Sequence, residues 1–146
     1  MTSKAAQIAT ALAARLAQVT TTGGYETDVG LTVYRGRRNT EPGPHITLYE
    51  GEDTAKEQSL KAVVHLTQVY VAEAVDTCDP DNPNDRAHQI LSDLKRAVFG
   101  SDQTLGGLVK TIEYRGRLIG TREEGQDYCF ASIRFAVEYV EDLKAP

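Results

Sequence analysis

The stretch from Leu60 to Val75 constrains the fold more than any other part of this chain. In an extended backbone Val63, Val69, Val71 and Val75 fall on one face, and Val64, Leu66, Tyr70, Ala72 and Ala74 on the other. A strand that is apolar on both faces predicts a central position in a sheet, covered on two sides for much of its length. At about 3.3 Å per residue it would run roughly 45 Å, so it is bent or its end projects from the body.

The segments around it supply partners. Ile8, Leu12, Leu16 and Val19 recur at helical spacing, with Ala5, Ala9 and Ala13 widening the stripe, which predicts a helix over 3–19. Thr2 or Ser3 can cap its start, and Gly23–Gly24 stop the pattern. Its alanines predict close packing on a flat surface, a sheet. The period then changes: Val29, Leu31 and Val33 alternate with Gly30, Thr32 and Tyr34, predicting a strand from Thr27 to Arg37. Asn39 to Pro44 reads as a turn, and His45–Glu50 as a second strand. Gly51 to Ser59 is polar and charged, and reads as an exposed connection into the long strand.

Beyond the long strand, Asp76 to Asp85 reads as a loop. Asn82 as N-cap and Pro83 at the first helical position open a second helix. Ala87, Ile90, Leu91, Leu94 and Val98 form its buried stripe, and Gly100 closes it. Two clean alternations follow. Leu108, Ile112, Tyr114 and Leu118 share one face of the first; Cys129, Ala131, Ile133, Phe135, Val137 and Tyr139 share one face of the second. They read as a hairpin joined by Gly120 to Gln126, with one face in the core and the other wet or against a partner. The expected fold is α+β: helix, three strands, helix, two strands, with two helices packed on a mainly antiparallel sheet. At 146 residues the chain has the size of one domain, taken as 1–146.

Composition excludes several classes. With 40% hydrophobic and 25% charged residues the chain is neither disordered nor fibrous. The Ala-rich start is interrupted by Gln7, Arg15 and Gln18, so it is not expected to be a signal peptide. No run reaches the roughly 18 apolar residues of a spanning helix. A soluble chain with no membrane association is therefore expected. Net charge is −5, which argues against general nucleic-acid affinity but leaves room for a local basic surface. Cys78 and Cys129 read as two reduced thiols, because a core of this size needs no staple.

No residue set carries catalytic chemistry. His45, His65 and His88 lack zinc spacing, and no cofactor or metal is expected. Asp76, Asp79, Asp81 and Asp85 gather oxygens, but Pro83 stands where an EF-hand needs a ligand. They read as a solvated loop preceding a helix, with cation binding as the alternative. No nucleophile elbow or phosphate loop occurs, and Cys129 falls on an apolar strand face. An enzyme is not expected. Two basic stretches remain: Arg35, Arg37 and Arg38, then Arg115 and Arg117. Simple alternation puts Arg35 with Arg37, and Arg115 with Arg117, on common sides. They form either a wet, charge-protected edge or a surface for phosphates or an acidic partner.

The order of these features is familiar. Gly24-Tyr25-Glu26-Thr27-Asp28-Val29-Gly30 leads to Val33-Tyr34-Arg35-Gly36-Arg37, then to Pro44-His45-Ile46-Thr47-Leu48-Tyr49-Glu50-Gly51. A helix with Ile90-Leu91-Ser92-Asp93-Leu94-Lys95-Arg96-Ala97-Val98 and an ending Val137-Glu138-Tyr139-Val140-Glu141-Asp142-Leu143 complete it. Over nearly its whole length the chain resembles the tail-terminator (tail completion, minor tail) proteins of long-tailed bacteriophages and prophages. That resemblance implies a homo-oligomeric ring, typically a hexamer, in the virion tail, assembled in the bacterial host cytoplasm. The ring would cap the tail tube, end its polymerisation and offer a surface to the head–tail connector. DNA would pass through it without sequence-specific binding. A ring of head-to-tail contacts needs two different patches per subunit. The charged segments holding Glu52, Asp53, Lys56 and Glu57, and Arg122, Glu123 and Glu124, are suitable material. Alternatives are another connector or tube-like subunit, and a small-ligand or cation-binding α+β domain.

Overall fold

The long central strand organises the sheet. The computed structural model describes residues 2–36, 43–120 and 125–146. Helix α1 spans Lys4–Leu16, followed by a 3-10 turn at Val29–Leu31 and a short strand β1, Val33–Arg35. Strands β2 (His45–Gln58) and β3 (Val63–Thr77) precede helix α2 (Pro83–Phe99); strands β4 (Thr111–Ile119) and β5 (Tyr128–Asp142) complete the chain. The five strands lie in the order β1-β2-β3-β5-β4. β1 runs parallel to β2, and every other pair is antiparallel. This is the α+β architecture expected, with β3 at the centre.

β3 and β5 pair without a break from Val63↔Asp142 to Thr77↔Tyr128, so their side chains keep strict alternation. One face of each is core: Val64, Leu66, Tyr70, Ala72 and Ala74 from β3, and Ala131, Ile133, Phe135, Val137 and Tyr139 from β5. Tyr70 and Phe135 stack at 5.6 Å between ring centroids. Against them α1 buries Ile8, Ala9, Leu12 and Leu16, and α2 buries Ala87, Ile90, Leu91, Leu94 and Val98. Each large buried side chain contributes about 1.5–3 kcal/mol. Ser3 caps α1 by accepting the Ala6 N–H at 3.2 Å. Pro83 opens α2 at its first turn, Asn82 making no side-chain cap bond, and the Gly100 N–H closes it on the Arg96 carbonyl.

Four expectations are corrected. In place of the strand predicted over 27–37, the described residues to Gly36 form a 3-10 turn with Val29 and Gly30 buried, followed by three strand residues. Gly30 donates to the Val19 carbonyl at 2.8 Å, and a Cβ there would lie 2.4 Å from the Leu16 carbonyl oxygen. The Val29–Leu31 alternation therefore serves a close backbone contact, which leaves Leu31 72% exposed. Residues 51–59 are not a loop: β2 continues to Gln58 on the β3 ladder, through irregularities between Glu50 and Asp53 and between Ala55 and Glu57. Strand periodicity is missing there because neither face of that half of β2 is buried. Asp76 belongs to β3 rather than to the following loop. Lastly, the described residues cover one face of β3, not two.

Candidate assembly surface

The uncovered face of the sheet follows from the register. Val63, His65, Thr67, Val69, Val71, Glu73 and Val75 of β3 point away from the helices, opposite Val140, Glu138, Ala136, Arg134, Ser132 and Phe130 of β5 from His65 onward. The buried-and-partly-exposed alternation along β3 puts all its valines on this side at intermediate exposure, except Val64. Tyr49, 37% exposed, adjoins Val71 from β2. Both helices lie on the opposite face, so among the described residues no element covers this one. Gly120 completes it at one end: a Cβ there would stand 1.8 Å from the Phe130 ring, so the ring rests directly on the glycine backbone.

Two charged features border this apolar centre. The first is the outer half of β2. β1 pairs with β2 only as far as Leu48, and residues 50–61 are all exposed. Glu50, Glu52, Asp53 and Glu57 make this ribbon acidic. Glu50 is 3.8 Å from Arg35, and Lys56 is 3.5 Å from Glu138. Glu52, Asp53 and Glu57 make no ion pair among the described residues. The acidity reaches the phenols beneath: burial, then Glu141 and Asp53, push Tyr139 up to about 12. The ribbon ends at Leu60, which is fully exposed.

The second feature is a groove of about 410 Å³ lined by Val71, Glu73, Arg115, Gly116, Arg117, Leu118, Ser132 and Arg134. It exists because β4 bulges. Tyr114 pairs with Phe135 and Gly116 with Arg134, leaving Arg115 as the extra residue, with Gly116 at φ +127°. Arg115 reaches back to Glu113 at 3.3 Å. After the bulge the alternation is reversed. Arg117 stands opposite the core residue Ile133, and Leu118 opposite Ser132 on the uncovered face, where it is 62% exposed. Arg115 and Arg117 therefore do not share a side, and Leu118 does not share one with Ile112 and Tyr114. Tyr114 instead meets Phe99 edge-on and carries Lys95 over its ring. By register Arg134 and Glu73 belong to the uncovered face, with Arg115 beside them as the bulge residue, while Arg117 belongs to the helix side. Arg117 and Arg134 make no ion pair among the described residues.

The other sequence candidates separate. Arg35 donates to the Thr10 hydroxyl at 3.2 Å, far from the β4 groove across the sheet. Arg37, Arg38, Arg122, Glu123 and Glu124 lie outside the described residues. Glu52, Asp53, Lys56 and Glu57 are strand residues rather than loop residues. Arg134 was missed because it reads as one polar position in an ordinary strand alternation. The β4 bulge sets Gly116 opposite it, with Arg115 as the unpaired neighbour.

The remaining titratable groups make local contacts. Burial raises Asp76 above the usual carboxylate range, partly offset by the Thr77 N–H and by Arg86 at 3.7 Å. Asp79 accepts the Asp81 N–H. His45 contacts the Gly43 carbonyl, and His65 meets the Lys110 ammonium at 3.1 Å. Among the described residues no three His, Cys, Asp or Glu side chains are gathered as a metal site requires. Cys78 and Cys129 are both free thiols. Burial and the adjacent Cys78 thiol push Cys129 up to about 12, which makes it a poor nucleophile. No helix among the described residues is long and apolar enough to cross a membrane. Searches against protein-family models and curated proteins find no match.

Proposed function

We propose that the chain is an assembly subunit, and that it acts as a tail terminator. On this reading it forms a homo-oligomeric ring that caps a phage or prophage tail tube, ends tube growth and offers a surface for head joining. The observation that carries the assembly reading is the uncovered sheet face. The two central strands bring valines, Phe130 and Ala136 to a face over which no element of the described residues lies. Those apolar side chains stand among polar ones (Thr67, Glu73, Ser132, Arg134 and Glu138), a mixture suited to a surface that a second molecule covers.

The choice of a tail terminator among assembly proteins rests on the sequence resemblance described above. The fold is compatible with it, since helix, three strands, helix and two strands occur in the implied order. The chemistry required is binding alone, through two unlike patches per subunit. The test is to mix purified protein with growing tail tubes and to follow tube length and tube ends by negative-stain electron microscopy. Capped ends and arrested growth are expected. Uncapped tubes that keep growing would remove the terminator reading.

A further inference from the structure

We infer that the acidic outer half of β2 in one copy docks into the arginine groove at β4 of the next. This deepens the assembly reading, on which it rests, by naming the two patches that meet.

Charge complementarity is the first argument. The ribbon offers Glu52, Asp53 and Glu57 without ion-pair partners among the described residues, and the groove offers Arg134 in the same condition, with Arg115 beside it. Guanidinium forks bind carboxylates in pairs, and are the side chains best suited to an interface that must lose water. A second argument is apolar. Val71 and Leu118 wall the groove, and Leu60 stands fully exposed at the end of the ribbon.

The third argument shows that the partner is a second molecule. The ribbon is held in the sheet by its ladder with β3, which extends to Gln58↔Val64. It cannot fold over its own sheet. Its own groove lies two to three strands away, about 10–14 Å across, and several residues further along the strands. The bulge at Arg115 also decides the kind of contact. It breaks the regular β4 edge, so the groove offers side chains rather than a template for continuing the sheet. Ribbon and groove are different patches, so the contact is head-to-tail and can close by rotation.

A reciprocal charge swap tests the contact. One variant carries R115E and R134E; the other carries E52K and E57K. All four positions are exposed, and unchanged melting temperatures verify the folds. In analytical ultracentrifugation at low ionic strength the native chain should self-associate, and salt should weaken that association. Each variant alone should associate about 10- to 100-fold more weakly. An equimolar mixture should associate again, because reversed ribbon meets reversed groove and native meets native. A native chain that stays monomeric, variants that associate like native, or a mixture that stays apart would each overturn the contact. Swap-dependent association without tube capping would keep the contact and remove the tail reading. Tube capping by both variants as efficient as that of the native chain would do the reverse.

Discussion

Asp93 occupies a core position of α2, between Leu91 and Leu94, and is 1% exposed. Its carboxylate accepts the Glu26 N–H at 3.1 Å, and the Thr27 N–H and hydroxyl at 2.8 and 2.7 Å. It replaces a ladder for the segment between α1 and β1, whose backbone would otherwise lack partners in the interior. Asp93→Ala is expected to lower unfolding stability by about 2–4 kcal/mol in urea titration, because it strands two amides and a hydroxyl. A loss under about 0.5 kcal/mol would show that the segment is held by other contacts. Asp102 makes a looser clasp, accepting from the Thr104 hydroxyl and amide and the Gly106 amide. The Thr104 hydroxyl, then these amides, pull its carboxyl down to about 2. Because the folded value is the lower one, the clasp stabilises the fold above the ordinary carboxylate range. That contribution is lost as pH falls through about 2. NMR titration of Asp102 should give this low value, and Thr104→Ala should raise it.

At the scale of elements, the sequence was legible wherever one face is buried and the other wet. α1, α2, β3 and β5 all meet that condition. β2 does not: its first four residues are buried on both faces and the rest on neither, so its charged second half reads as a loop although it keeps its ladder with β3. Hydrogen bonding along a strand does not depend on side-chain polarity, and leaves no trace in a hydrophobic pattern. Amide hydrogen exchange should accordingly protect alternate amides of β2 between Glu50 and Gln58, those facing β3, with the outward set exchanging freely. Uniform fast exchange would count against the strand. The 3-10 turn at Val29–Leu31 misled in the opposite way, since its alternation was real and its cause was not a sheet. Gly30→Ala would force a Cβ against the Leu16 and Val19 backbones, at an expected cost of about 1–3 kcal/mol by calorimetry.

For the whole molecule, the two sheet faces should respond differently to substitution. Phe135→Ala empties part of the core beside Tyr70 and is expected to cost about 3–5 kcal/mol of stability. Val71→Asp sits on the uncovered face, where a carboxylate stays hydrated. It should change the stability of the single chain by under about 1 kcal/mol while reducing self-association. Comparable losses of stability for both would mean that Val71 is covered within one chain.

The sequence by itself determined the element order, the helix faces and the central place of β3, because period and burial are local consequences of a single covered face. From the valines of that strand it predicted cover on two sides, and the described residues cover one. Tertiary structure alone decided that the second side is left uncovered by the described residues. It also decided that an extra residue at Arg115 reverses β4, setting Gly116 opposite Arg134, Arg117 opposite Ile133 and Leu118 on the uncovered face. Strand order and bulges depend on which backbones meet across the sheet, and no spacing along one chain records that meeting.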